Sequence, residues 1–210
     1  MRAVAYLLLT LVLPVPAWAG DLAVELKSTS GQPVSDAVVS FRPAAGVTST
    51  PARFNAPLRV EQNSIHFDPF ILIVPVGAEV AFPNKDKVRH HVYSFSPAKR
   101  FELKLYGRDE TRKVTFDKAG VVALGCNIHD QMIGFIVVLD TPYAAKVGAS
   151  GQTTLTNLPP GGGVLTVWQP FMRGRDNQVV QQVVIPAQGA ARAALTLDLR
   201  DPPAGKAPLL

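Results

Sequence analysis

Cys126, His129 and Met132 follow one another as Cys-x2-His-x2-Met, and a pair of histidines, His90 and His91, lies upstream. Thiolate and thioether are soft donors that suit Cu(I), whereas imidazole suits both copper oxidation states. Two imidazoles and one thiolate in a rough plane, with a weak axial thioether, let one copper ion hold both states with little rearrangement. Three donors on one short loop converge on a single ion only if strands grip that loop at both ends. A fourth donor must then come from a neighbouring loop at the same end of the molecule.

Cysteine usage bears on this reading. Arg2 begins a leader-like segment, with an apolar stretch over 3–13, breaks at Pro14 and Pro16, and Ala17-Trp18-Ala19 as a small-x-small signal. The stretch is too short to span a bilayer comfortably. The expectation is cleavage after Ala19, export to the periplasm, and no membrane span in the mature chain. Exported proteins usually pair their cysteines, yet Cys126 is the one cysteine of the chain. It is either buried and inert or tied up by a metal. The net charge of +5 falls by one with loss of Arg2. Such mild positive charge does not suggest nucleic acid and is compatible with docking onto an acidic partner.

The elements that would position the donors are strands. Of 210 residues, 47% are hydrophobic and 18% charged, with 18 prolines and 16 glycines spread along the chain. That composition supports a buried core with many turns, an all-β class. Strand-like runs fall at 22–27, 37–41, 70–76, 79–82, 91–95, 101–106, 111–116, 121–124 and 133–139. Four more follow at 153–158, 164–169, 179–185 and 193–199. The run 70–76 is apolar throughout, as in a strand covered on both faces. In 101–106 the alternation places Phe101, Leu103 and Leu105 on one face. Residues 44–60 read as a connection, and 201–210 as a disordered tail. The Cys126-His129-Met132 loop lies between the runs 121–124 and 133–139. The polar loop 83–89 leads to His90, and His91 opens the run 91–95.

Singly, each donor has an ordinary alternative. A buried Cys or Met is a common core residue, and a surface His commonly does nothing. His66 has no metal-like partner and reads as structural, and Phe82 and Phe116 read as core aromatics. Lys85, Lys87, Arg89, Lys99, Arg100 and Lys104 cluster around the first ligand loop, either as a solvated rim or as a landing patch for an acidic redox partner.

Residues 60–140 resemble a cupredoxin, with ligand-loop spacing similar to amicyanin and plastocyanin. The upstream part of the likeness is Asn84-Lys85-Asp86-Lys87-Val88-Arg89-His90-His91-Val92. The downstream part runs from Phe116 through Gly120 to Cys126, His129 and Met132, with Gly134 opening the closing strand. The wording also resembles exported proteins described as methylamine utilisation proteins. The resemblance implies a Greek-key sandwich holding one mononuclear copper. Its ligands would be His90, Cys126, His129 and Met132, His91 being the competitor for the first position. It implies electron transfer rather than catalysis, with a dehydrogenase or cytochrome as partner. Arg89 and Ile128 stand where the family often has proline, and Asp130 and Gln131 make the rim beside His129 more polar. Additional coppers of the oxidase kind need His-x-His pairs, and the four histidines include none.

The flanks resemble a second sandwich. Gly31-Gln32-Pro33-Val34-Ser35-Asp36-Ala37 is similar to the opening of a carboxypeptidase regulatory-like (transthyretin-like) domain. Gly151 to Gly161 is similar to its later turn. The expected layout is a leader at 1–19, the first part of this sandwich at 20–50, an inserted cupredoxin at 55–140, and the remainder at 141–200. Storage or delivery of copper is the competing function, although methionines are few. A non-metal binding module is the third.

Overall fold

The computed structural model describes residues 19–44, 54 and 57–201. Residues 1–18 of the expected leader at 1–19, residues 45–53, 55 and 56 of the expected connection at 44–60, and the expected tail beyond 201 lie outside the described residues. No helix among the described residues is long and apolar enough to cross a membrane. The fold is all-β, and its one helical element among them is a short 3-10 turn at Arg175–Asn177.

Alternating apolar residues give the first two strands, β1 (Gly20–Ser28) and β2 (Val38–Pro43). Then come β3 (Glu61–Asn63), β4 (His66–Asp68), β5 (Ile71–Pro75), β6 (Ala78–Pro83), β7 (His90–Ser96) and β8 (Lys99–Tyr106). Next are β9 (Thr111–Phe116), β10 (Gly120–Cys126), β11 (Ile133–Leu139) and β12 (Ala144–Lys146). The last four are β13 (Gln152–Leu158), β14 (Gly161–Trp168), β15 (Gln178–Ile185) and β16 (Ala190–Leu197).

Two hydrophobic cores organise these strands. A five-stranded sheet in the order β5-β11-β10-β7-β8 and the two-stranded sheet β6-β9 enclose the first core. Its members include Leu72, Val74, Val80, Phe82, Val92, Phe116, Val122, Leu124 and Ile136. Phe82 and Phe116, read from sequence as core aromatics, are both fully buried here. The sheets β13-β1-β16 and β12-β2-β14-β15 enclose a second core around Leu22, Leu26, Phe41, Leu155 and Leu165. Strand β1 runs antiparallel to β13 and parallel to β16. The N-terminal strands therefore share their sheets with strands that come more than a hundred residues later. A third cluster joins the two sandwiches: Val38 and Trp168 meet Ile71, Phe135 and Val137. It covers the outer face of β5, which explains why the run 70–76 is apolar throughout although β5 is an edge strand.

One expected face is wrong. Leu105 is 48% exposed, and Tyr106 is buried in its place. The β7–β8 register runs from His90↔Tyr106 to Val92↔Leu103, so two steps on β7 face three on β8. The extra residue is a bulge, and it inverts the alternation beyond Leu103. Strands β3, β4 and β12 were not expected from the sequence; each has three residues, too few for a periodic signal.

Candidate metal centre

Strand β10 ends at Cys126. Its last two residues pair with β7 as Gly125↔Tyr93 and Cys126↔Val92. Side chains alternate between faces along a strand, so Val92 and His90 point the same way, into the core, where Cys126 also points. His91 points to the other face, and its Nε2 lies 2.7 Å from Glu102 Oε1. The ladder therefore puts His90 beside Cys126 and His91 on the opposite face of the strand.

The donor atoms converge. Cys126 Sγ lies 3.7 Å from His90 Nδ1 and 3.8 Å from His129 Nδ1. The donor atoms of His90, Cys126 and His129 all fall within 4.8 Å of one another. The two imidazole rings are 5.0 Å apart at their centroids, tilted by 56°. His90 is fully buried, Cys126 is 3% exposed, and His129 is half-buried. Between Cys126 and β11 the chain tightens into a turn, with the Met132 N–H donating to the His129 carbonyl at 2.9 Å. Met132 itself is 2% exposed and belongs to the same core cluster as Cys126. Three of the four expected ligands thus meet around one point, and the fourth lies in the adjoining core. His66 lies on β4, with Nδ1 2.7 Å from the Ser64 carbonyl oxygen, and takes no part.

The upstream loop is tied down by buried polar groups. Asn84, fully buried, donates through Nδ2 to the carbonyls of Val88 (2.9 Å) and Tyr106 (3.1 Å). Its Oδ1 accepts the Asp86 N–H at 2.9 Å. The Tyr106 hydroxyl donates to Gln62 Oε1 at 2.5 Å. Every one of these groups is satisfied, as burial demands. Asp86 Oδ2 in turn lies 2.8 Å from His90 Nε2. An ionised carboxylate only accepts hydrogen bonds, so Nε2 carries a proton. In the neutral ring this leaves the Nδ1 lone pair facing Cys126.

The electrostatics favour a thiolate. Burial pushes the Cys126 thiol up, but hydrogen bonds from His90, from the backbone at His91 and Ile128, and from His129 outweigh it and bring it down to about 6. Burial pushes His90 down, but its contacts with Cys126 and Asp86 leave it raised overall. Both shifts favour the charged forms, a thiolate beside an imidazole protonated at Nδ1. A cation that replaces that proton finds one soft anionic donor and two imidazoles already in place. That donor set is chemically suited to a soft or borderline transition metal.

The sequence singled out the four expected ligands but gave Asp86 no role beyond the motif. Its side chain meets groups more than twenty residues away, which no local spacing reveals.

No family model matches the chain, and no curated protein matches it. Parts of solved structures are similar. A copper-containing nitrite reductase from Thermus scotoductus SA-01 is 28% identical with a TM-score of 0.38, over 43% of this chain and 25% of that one. The chain therefore spans about a quarter of that protein's length. A purple cupredoxin from Nitrosopumilus maritimus is 22% identical with a TM-score of 0.35, over 39% of this chain and 98% of that one. An amicyanin variant in its oxidised state is 24% identical with a TM-score of 0.37, over 50% of this chain and 99% of that one.

Proposed function

We propose that this chain is a type 1 copper protein that carries single electrons between redox partners. The observation that carries the reading is the convergence of His90, Cys126 and His129 donor atoms within 4.8 Å in a buried pocket. His90 Nδ1, Cys126 Sγ and His129 Nδ1 would hold the ion, and the thioether of Met132 would be the weak axial donor. Bound copper supplies a one-electron couple. The protein supplies a donor set suited to both oxidation states, and a half-buried imidazole at His129 that brings the site close to solvent. Strands on both sides of the loop limit rearrangement when the charge changes.

On this reading the ordered strands of 55–140 form the cupredoxin. Residues 20–50 and 141–200 are one regulatory-like sandwich that it interrupts, and the pairing of β1 with β13 and β16 supports that division. Residues 1–19 would direct export to the periplasm, where a dehydrogenase or cytochrome would be the partner.

The test is optical. The mature protein loaded with Cu(II) should show an intense visible thiolate-to-copper charge-transfer band, and Cys126→Ser should abolish it. Electron transfer requires a reversible one-electron couple as well. A protein that takes up no copper, or takes it up without that band, would overturn the assignment. Copper uptake with no reversible couple would favour storage or delivery instead.

A further inference from the structure

Asp86 makes more contacts than a hairpin cap requires. Strands β3 and β4 pair as Asn63↔His66, which leaves Ser64 and Ile65 as a two-residue turn. Both have positive φ, 55° and 60°. That conformation matches the type I′ turn that tight hairpins favour, but it is uncommon for a β-branched residue such as Ile65. The turn aims two successive N–H groups at one carboxylate. Ser64 donates to Asp86 Oδ1 at 2.6 Å, and Ile65 donates to Oδ2 at 3.0 Å. The same Oδ2 lies 2.8 Å from His90 Nε2. The Asp86 side chain is 11% exposed, so these contacts form largely away from water, where charge-assisted hydrogen bonds are strong. The hairpin therefore fixes the carboxylate, and the carboxylate fixes the imidazole.

We propose that Asp86 is a positioning residue for the metal centre: held by the Ser64-Ile65 turn, its carboxylate locks His90 with Nδ1 toward Cys126 and makes that imidazole a stronger donor to the oxidised ion. The inference rests on the copper reading above. A carboxylate on the far nitrogen of a ligating histidine fixes its tautomer and orientation and raises its basicity. Cu(II) has more to gain from a basic imidazole than Cu(I), so the carboxylate holds the reduction potential down. The β3–β4 hairpin, remote in sequence from every ligand, then helps to set the redox property of the site.

Asp86→Asn keeps an acceptor of similar shape and removes the charge. It should retain the thiolate-to-copper band while Cu(II) affinity falls by about tenfold relative to Cu(I). For a one-electron couple that is a rise in potential of about 59 mV. Asp86→Glu, which keeps the charge, should lie nearer the wild type. If Asp86→Asn retains the band at an unchanged potential, Asp86 is a hairpin cap alone and the proposal fails. A second measurement needs no variant. In the wild-type Cu(I) protein, which is diamagnetic, the His90 Nε2–H should appear in nitrogen-correlated proton spectra as a downfield resonance that exchanges slowly with solvent. Its absence from copper-loaded protein would also overturn the role of Asp86. Wild-type protein that takes up no copper would instead defeat the parent reading.

Discussion

At the scale of single residues, the phase of one strand decides which histidine faces Cys126. His90 and His91 are adjacent, but alternation along β7 sends one toward Cys126 and the other toward Glu102. His90→Ala should therefore abolish the charge-transfer band, and His91→Ala should leave it nearly intact, as visible absorption of the two copper-loaded variants will show. Equal loss in both would mean that the strand is out of phase with this account. The acid–base state of the site gives a second check. In the metal-free protein, absorbance of the Cys126 thiolate in the ultraviolet should appear as pH rises through about 6, not near the ordinary thiol value of 9.0. A depressed thiol stabilises the fold fully above 9.0, progressively less as pH falls, and not at all once pH has passed below about 6. Cys126→Ser should lose that dependence in chemical denaturation series across the same window. The Cys-x2-His-x2-Met loop was legible because all three donors lie within seven consecutive positions, so local spacing carried the message. The work of Asp86 was not, because its partners Ser64 and Ile65 precede it by more than twenty residues.

At the scale of elements, the longer strands follow the apolar runs and their bounding turns closely. The runs 111–116 and 133–139 coincide with β9 and β11. What the sequence hid were features set by pairing. The bulge between β7 and β8 turns Tyr106 inward, and that burial gives Gln62 and Asn84 their partner. No property of the segment 101–106 alone shows where its neighbour slips register. Strand β4 gives no periodic signal for a related reason: it is short, and its Phe67 joins the first core and packs against Gly134 of β11. A Cβ at Gly134 would sit 2.9 Å from Phe67 Cβ and 3.2 Å from its ring. The obstructing Cβ is fixed to the backbone, so the clash cannot be relieved by rotating a side chain. Gly134→Ala should cost about 1–3 kcal/mol, the range for overpacking a core, measurable as a lower urea midpoint. A cost near zero would mean that the β3–β4 hairpin moves freely relative to the sheet, which would also weaken the case that it can hold Asp86 still.

At the scale of the molecule, the Cys126-His129-Met132 loop and the second sandwich lie on different cores, yet a shared apolar cluster joins them. Phe135, on the strand that follows the Cys126-His129-Met132 loop, meets Trp168 with ring centroids 5.3 Å apart, edge to face. Phe70 stacks on Phe171 at 6.4 Å. The Thr141 hydroxyl donates to the Phe41 carbonyl at 2.7 Å, and Arg42 pairs with Asp140. Trp168 is 6% exposed, so its loss leaves a gap that neither sandwich can fill alone. Large-to-small changes of this kind cost about 3–5 kcal/mol in a core. Here the cost falls on the junction. Copper that binds only the native site stabilises it by about 4 kcal/mol at a thousandfold excess over its dissociation constant. While the junction holds, that stabilisation should raise one calorimetric transition for the whole chain. In Trp168→Ala the two cores should uncouple, giving two transitions, of which copper raises only the one belonging to the sandwich that contains Cys126. A single transition in the variant, shifted as a whole by copper, would place the mechanical link between the cores elsewhere, in the chain connections and polar contacts rather than in the aromatic cluster.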